Sequence, residues 1–257
     1  MELNLKGRSV LVTGGSKGIG AAVGRWFAQE GCEVHLAART KAALDETAQA
    51  IRQRHQVAVH THAHDLGDAG ARADLTRELP DVDILVNNAG AIPGGSIEAV
   101  SDEAWRTGWE LKVFGFIDLT RHYLAKMKAK KKGVIINVIG AAGSKMHWGY
   151  AAGSMGNAAL IAFTNTMGGH SPEFGVRVLG VSPGPVETDR IAYLQKQRAK
   201  EQWGDESRYR EMYKEMAFGR PASPDEIAAA VVFFASDLSG YTSGTVVTID
   251  GGSVNRS

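Results

Sequence analysis

The sequence contains a single cysteine among its 257 residues. One thiol excludes an internal disulfide framework and fits a reducing compartment. No apolar run approaches the roughly 20 residues that a helix needs to cross a bilayer, and no charged-then-apolar leader precedes the first strand-like run. We therefore expect a cytoplasmic protein with no membrane partner.

Charge gives no indication of a nucleic-acid partner. Lysine and arginine number 29, aspartate and glutamate number 28, and the net charge is +1, so the chain lacks the basic field that attracts nucleic acids. The one basic run, "AKMKAKKKG" at 125–133, suits a solvated helix end, where lysine complements the negative pole of the dipole and glycine ends the helix. We expect a small-molecule substrate instead.

Short apolar runs alternate with amphipathic helical segments along the whole chain. Seven strand-like runs are predicted, from "SVLVTGG" near the start to "GTVVTIDGG" near the end. This alternation predicts an α/β fold, a doubly wound parallel sheet of about seven strands with helices on both faces. Nothing in the sequence resembles a linker, so we predict one domain over 1–257. Long helices are predicted through Trp105 to Lys131 and over Met155 to Gly168.

One segment, 188–218, departs from this alternation. It is charged and aromatic and contains no strand-like run. In a parallel sheet such an excursion belongs over the carboxyl edge, where ligands bind, and we predict that it covers the substrate as a lid. Its apolar side chains, which would line a mostly apolar pocket, are Ile191, Leu194, Trp203, Tyr209, Met212 and Met216.

A glycine-rich turn follows the first predicted strand. The stretch "TGGSKGIG" at 13–20 places glycines at 14, 18 and 20 between a strand and a helix. Glycines let the backbone approach a pyrophosphate, and the helix start offers free N–H groups and a positive dipole end. The strand–turn–helix context makes this pattern specific, and it predicts a dinucleotide cofactor.

The end of the second predicted strand indicates which dinucleotide binds. NAD sites usually place an acid there for the ribose 2′-hydroxyl, but this sequence has Ala38 followed by Arg39. Lys17 in the glycine turn supplies a second cation. Because cations make strong charge-assisted contacts with phosphate, we predict NADP(H).

With these motifs, the whole chain resembles the short-chain dehydrogenase/reductase superfamily. The carrying motifs are "TGGSKGIG", "DL" at 65–66, "NNAG" at 87–90, "SPGPVET" at 182–188 and "SGTVVTIDGG" at 243–252. The resemblance implies a Rossmann-type dinucleotide-binding domain and a homo-oligomer, either a tetramer or a dimer. The implied cofactor-binding residues are Gly14, Ser16, Lys17, Gly18, Ile19, Gly20, Arg39, Asp65, Leu66, Asn88, Ala89, Gly90, Pro183, Gly184, Val186 and Thr188.

The resemblance also implies a catalytic set of Asn, Ser, Tyr and Lys, and here the sequence departs from the family. Aligned by motif, the Asn position holds Lys112, the Ser position holds Gly140, the Tyr position holds Gly153 and the Lys position holds Asn157. The separation between Gly140 and Gly153 is the one usual between the family's Ser and Tyr, which supports this alignment. The lysine and the asparagine have thus exchanged places.

Neighbouring side chains offer a replacement for the missing proton donor. Tyr150 lies one helical turn before Gly153, and His147 is a second group that can exchange a proton. A lysine placed in a buried site at random would cost several kcal/mol unless paired or neutralised. The presence of Lys112 beside the cofactor therefore suggests that it has a functional role. Our candidate catalytic residues are Tyr150, Lys112, Asn157 and His147.

Three functions fit these residues. The first is an NADP(H)-dependent oxidoreductase acting on a small or acyl/cyclic carbonyl or alcohol, in which Tyr150 or His147 donates the proton and Lys112 supplies charge. The second is a lyase, isomerase or hydrolase that uses the same pocket for an acyl substrate. The third is a catalytically silent NADP(H)-binding or assembly subunit. We favour the first, because hydride transfer needs mainly the cofactor and its orientation.

The stretch "VHTHAHD" at 59–65 places His60, His62 and His64 on one face of a strand. Such a row invites a metal site. No Cys, Glu or further His stands at ligand spacing in the sequence, so we interpret these residues as partly exposed strand histidines and predict no metal.

Overall fold

The computed structural model describes residues 2–256, apart from the side chain of Glu201. These residues form one sheet of seven parallel strands in the order β3-β2-β1-β4-β5-β6-β7. The strands are β1 (Ser9–Thr13), β2 (Glu33–Ala38), β3 (Val59–Ala63), β4 (Ile84–Asn87), β5 (Gly133–Val138), β6 (Val176–Pro183) and β7 (Val246–Ile249).

Eight α-helices accompany the sheet within the same described residues. They are α1 (Gly18–Gln29), α2 (Lys41–Arg52), α3 (Ala69–Glu78), α4 (Asp102–Trp109), α5 (Gly115–Lys130), α6 (Ala151–His170), α7 (Asp189–Trp203) and α8 (Pro224–Ala235). The predicted doubly wound, Rossmann-type parallel sheet with helices on both faces is confirmed. No helix within residues 2–256 is both long and apolar enough to span a membrane.

Alternate strand residues face two separate helical layers. Val10 and Val12 of β1 pack with residues of α1, α2 and α8, whereas Leu11 packs with residues of α3 and α5. All three side chains are fully buried, and burying such a side chain stabilises the fold by about 1.5–3 kcal/mol. Because both faces are covered, the strands read as continuous apolar runs.

The order of the strands reverses beside β1, which pairs with β2 on one side and β4 on the other. Ligands of open parallel sheets bind at such a switch point, outside the carboxyl ends of the strands. The glycine turn after β1 and the segment Asn88–Gly90 after β4 therefore meet at one edge of the sheet.

The predicted helix through Trp105 to Lys131 is present and runs without a break from Asp102 to Lys130, but it is not α-helical throughout. A π-turn, Glu110–Phe114, separates α4 from α5, and such turns are frequent at functional sites. The buried guanidinium of Arg72 holds it by donating to the Glu110 carboxylate at 2.6 Å, to Asp118 at 3.0 Å and to the Leu66 carbonyl at 2.9 Å.

Helix α6 begins at Ala151, before the predicted Met155. Its first turn consists of small residues that carry no apolar periodicity, so the pattern concealed the start. The segment 188–218 contains no strand, as expected. It consists mainly of α7 and a run of 3₁₀ turns, Glu206–Glu215.

Candidate active site

A cleft of about 1360 Å³ opens at the carboxyl edge of the sheet. Every predicted cofactor residue lines it except Gly20. A Cβ atom on Gly20 would overlap the Gly14 carbonyl, so this glycine allows the turn to close against α1. All four candidate catalytic residues, Tyr150, Lys112, Asn157 and His147, line the same cleft.

The glycine turn forms a floor from which side chains are excluded. Gly14 and Gly18 have φ angles of 66° and 56°, the left-handed region that favours glycine. A Cβ atom on Gly14 would also lie 2.9 Å from the Asn88 amide nitrogen. Helix α1 starts at Gly18 with no side-chain cap, so its first N–H groups remain available to a phosphate.

Two cations stand at the outer part of this floor. Lys17 is exposed, and its Nζ lies 3.5 Å from an exposed carboxylate of Asp189, a contact worth little in water. Arg39 follows the last residue of β2, Ala38, and makes no ion pair within residues 2–256. Arg54, which was not predicted as a site residue, also lines the cleft.

Lys112 lies in the middle of the π-turn and reaches into the cleft across Gly90. A Cβ atom on Gly90 would lie 2.7 Å from Cδ of Lys112, so the glycine makes room for the lysine stem. The Nζ atom donates to the Ile139 carbonyl at 2.5 Å, and no carboxylate within residues 2–256 pairs with it. Burial, assisted by the Arg190 guanidinium, lowers the pKa of Lys112 to about 8.

The ring of Tyr150 occupies the space that a side chain at Gly153 would fill. A Cβ atom on Gly153 would overlap the Cζ and Cε1 atoms of the ring. Burial raises the pKa of Tyr150, and a nearby guanidinium opposes this shift. A backbone bond at 2.8 Å from Gly95 to the Gly149 carbonyl fixes the preceding turn. The Tyr150 ring therefore packs directly on Gly153.

The guanidinium that faces this phenol belongs to Arg190, in the first turn of α7. Its Nη2 donates to the Tyr150 hydroxyl at 3.3 Å and to the Ile92 carbonyl at 2.7 Å. Arg190 was not among the predicted site residues, because it directly precedes the apolar positions of the predicted lid. Its only sequence signal is its place three residues after "PVE".

Asn157 is buried against the end of β5. Its amide lies beside Gly140, where a Cβ atom would be 3.1 Å from Nδ2. Its Oδ1 finds no hydrogen-bond partner among the described residues, which is costly for a buried acceptor. Lys112 and Asn157 thus contact consecutive residues, Ile139 and Gly140. The Lys112 ammonium and the Asn157 amide, the two groups predicted to have exchanged places, therefore lie beside the same turn after β5.

The other predicted residues lie in several different places. His147 is exposed at the rim, where its Nδ1 accepts from the Gly149 backbone at 3.1 Å. In the lid segment, Ile191 and Leu194 line the cleft. Met212 and Met216 line a second cavity of about 350 Å³. Trp203 and Tyr209 line neither of these two cavities.

The strand histidines have more partners than the sequence spacing suggested. His62 is buried rather than partly exposed, and it bonds to His35 of β2 at 3.0 Å and to Glu78 of α3 at 2.8 Å. His60 bonds to Glu33 at 3.0 Å. Burial, followed by the neighbouring imidazoles, lowers the pKa of His35 to about 4. The premise that no Glu or further His accompanies these histidines is therefore wrong.

Packing of the phenol over Gly153 predicts a double-mutant result. Gly153→Ala is expected to destabilise the protein by about 1–3 kcal/mol, because the methyl group and the ring cannot share one space. With Tyr150→Ala as background, the same change should be neutral or stabilising by up to about 1 kcal/mol, since alanine favours helix over glycine. Urea denaturation of the four proteins measures this coupling.

Gly169→Ala is the matched control, since a Cβ atom there meets nothing within 4 Å. It should stabilise both backgrounds equally. A Gly153→Ala cost that is the same with and without the Tyr150 ring would contradict the packing described.

Comparison with known proteins gives a consistent relationship. The family model described as Enoyl-(Acyl carrier protein) reductase matches residues 14–254. An uncharacterised oxidoreductase of Bacillus subtilis (strain 168), YvrD, is 33% identical over 260 residues, with 98% of each chain covered. The 3-oxoacyl-[acyl-carrier-protein] reductase FabG of Vibrio cholerae is 32% identical over 251 residues, covering 97% of this chain and 98% of its own.

A solved structure is similar to this chain over its whole length. L-sorbose reductase from Gluconobacter frateurii, crystallised with NADPH and L-sorbose, has a TM-score of 0.90 and 30% identity over the whole of both chains. This chain has the sheet order, the glycine floor and the cleft at the switch point described above. The relatives match it along nearly its whole length. The protein belongs to the short-chain dehydrogenase/reductase superfamily.

Proposed function

We propose that this chain is an NADP(H)-dependent oxidoreductase with a rearranged catalytic site, acting on a small or acyl/cyclic carbonyl compound or the corresponding alcohol. The observation that carries the proposal is the Tyr150 ring filling the space over Gly153, beside Lys112 and Arg190 in the cleft. Relatives include a meso-2,3-butanediol dehydrogenase from Serratia marcescens, 30% identical, and the 3-oxoacyl reductase and sorbose reductase named above. Their names all describe carbonyl–alcohol pairs.

The described residues fit a phosphorylated dinucleotide. The glycine floor leaves a cradle that Cβ atoms would fill, and the start of α1 faces it. Lys17 and Arg39 suit a 2′-phosphate, and Ala38 offers no acid to a 2′-hydroxyl. The buried Oδ1 of Asn157 accepts no hydrogen bond from the described residues, so a bound cofactor or a water could donate one to it. When bound, the cofactor would supply the hydride for the substrate's carbonyl carbon.

Tyr150 would donate the proton to the substrate's oxygen. Its hydroxyl oxygen accepts from Arg190, so its own O–H remains free for the substrate. Because burial raises the pKa of Tyr150, the phenol is protonated at neutral pH, which favours the reducing direction. The cations of Lys112 and Arg190 would stabilise the phenolate left behind.

Two further residues would support this step. His147 accepts from the Gly149 backbone at Nδ1, so its neutral form carries the proton on Nε2 and can exchange it with solvent. Asn157, beside Gly140, would hold the bound cofactor or a water in place. The lid, 188–218, would cover the substrate through Ile191 and Leu194.

We also propose that the chain acts as a homo-oligomer. Large apolar side chains near its C-terminal part are exposed in the single chain, among them Leu238 and Tyr241. Exposed apolar surface of this kind is typical of contact sites between proteins.

The proposal is tested by mixing the protein with NADPH and a panel of ketones, sugars and 3-oxoacyl thioesters. At least one substrate should bleach NADPH absorbance, and the rate should fall as pH rises through about 8, because Lys112 then loses its charge. Lys112→Met should lose most of the rate and this pH step. Lys196→Met, an exposed lysine of α7, should retain both.

Two outcomes would contradict the oxidoreductase. Turnover of an acyl substrate with no change in NADPH would favour a lyase, isomerase or hydrolase. A cofactor-dependent rise in melting temperature, with no turnover of any substrate, would favour the silent binding subunit.

A further inference from the structure

Three potential metal ligands meet on the outer part of the sheet, away from the cleft. Glu33 and His35 lie on β2 and His60 on β3, where the register pairs His35 with His60. Their ligand atoms all lie within 4.8 Å of one another. Glu33 Oε1 is 3.0 Å from His60 Nε2 and 3.5 Å from His35 Nε2. We call these residues the β2/β3 triad.

Hydrogen bonds behind the triad fix the orientation of His35. Its Nδ1 bonds to His62 Nε2 at 3.0 Å, and His62 Nδ1 bonds to Glu78 Oε1 at 2.8 Å. His35 and His62 are both buried. A metal-binding imidazole typically has its second nitrogen held in this way by a partner that a carboxylate supports. The relay leaves Nε2 of His35 directed towards Glu33.

We propose that the β2/β3 triad binds one zinc ion. Two imidazoles and one carboxylate are a usual zinc donor set, with water in the fourth tetrahedral position. Imidazole ligands favour zinc over magnesium or calcium, which prefer oxygen. None of the three residues lines the cleft, so the site is separate from the proposed active site.

His60 is the exposed histidine of the triad. Its ring stacks on His35 with centroids 4.7 Å apart and planes at 17°, and its side chain is 48% exposed. A turn of this ring about its side-chain bonds would direct Nε2 at an ion held by Glu33 and His35. The same exposure gives the ion a path from solvent.

Zinc would join the edge strand β3 to its neighbour β2. Glu33 and His35 come from one strand and His60 from the other, so the ion adds a cross-link beside the backbone ladder. A ligand that binds only the folded state raises its stability by mass action. Zinc should therefore raise the melting temperature of the metal-free protein.

The test is calorimetric titration of zinc chloride into full-length, tag-free protein stripped of metal. We expect one saturable site per chain, with a dissociation constant in the micromolar range or below. His60→Ala and Glu33→Gln should each weaken binding by at least about 10-fold, and Glu78→Gln should weaken it by about 10- to 100-fold. His170→Ala is the matched control, since this exposed histidine pairs only with Glu173 among the described residues and should not change the affinity.

His35 itself is left unchanged, because it is buried and its loss would disturb folding. Cobalt replaces zinc as a coloured probe, and the wild type should show the absorption bands of tetrahedral cobalt while His60→Ala should not. Absence of a saturable site, a dissociation constant weaker than micromolar, or zinc affinity in His60→Ala and Glu33→Gln equal to that of the wild type would overturn the proposal.

Discussion

Tyr150→Phe is expected to lower the rate of carbonyl-dependent NADPH oxidation by about 10²–10⁴-fold, the usual contribution of a positioned proton donor. The ring would still fill the space over Gly153, so folding and cofactor affinity should not change. The loss should therefore lie in kcat rather than in KM. Steady-state kinetics with NADPH, together with calorimetric measurement of its affinity, separates these quantities.

Tyr193→Phe is the control for this substitution. Tyr193 lies on α7, close in sequence to Arg190, but it is exposed and does not line the cleft. Its rate should equal that of the wild type. Full activity in Tyr150→Phe would exclude the phenol as donor, and a loss in His147→Gln would then assign the proton to the imidazole.

Arg39→Asp is expected to reverse the cofactor preference. The change removes one cation from the 2′-phosphate and supplies the acid that a ribose 2′-hydroxyl accepts. A hydrogen bond to a charged group contributes about 1.5–3 kcal/mol, so NADPH affinity should fall by about 10- to 100-fold. Adding Lys17→Ala should weaken NADPH further and leave NADH unaffected. Calorimetric titration of both cofactors measures the preference.

Lys41→Ala is the matched control for the cofactor experiment. Lys41 begins α2 close to Arg39 in sequence, pairs with Asp45 and does not line the cleft. Its removal should leave both affinities unchanged. Tighter binding of NADH than of NADPH by the wild type would show that Lys17 and Arg39 are merely solvated.

The sheet and its cofactor edge could be predicted because local pattern determines them. Buried parallel strands are continuous apolar runs, and a glycine turn between a strand and a helix has one common use. Gly14, Arg39 and Asn88 consequently lie in the cleft where the sequence placed them. The end of β2 at Ala38 is likewise where the missing acid was inferred.

Contacts between distant segments could not be predicted in this way. The π-turn around Lys112 depends on Arg72 of α3, which no periodicity in 105–131 reveals. Arg190 reaches Tyr150 from another helix. Glu33 and His35 join the strand histidines only through the register of β2 with β3. Each of these depends on tertiary packing, which a pattern read along the chain does not contain.

The backbone hydrogen bond from Gly95 to the turn before Tyr150 links the position of Tyr150 to the loop around Gly95. A donor in the middle of a helix is held by the backbone hydrogen bonds of that helix, whereas the proposed donor Tyr150 directly precedes α6, next to a turn that bonds to Gly95. The proposed dinucleotide site is formed by other segments, which follow β1 and β4. If Tyr150 is the donor, we expect substitutions in the loop around Gly95 to change the rate of proton transfer while cofactor affinity stays the same, so that the two properties could evolve separately.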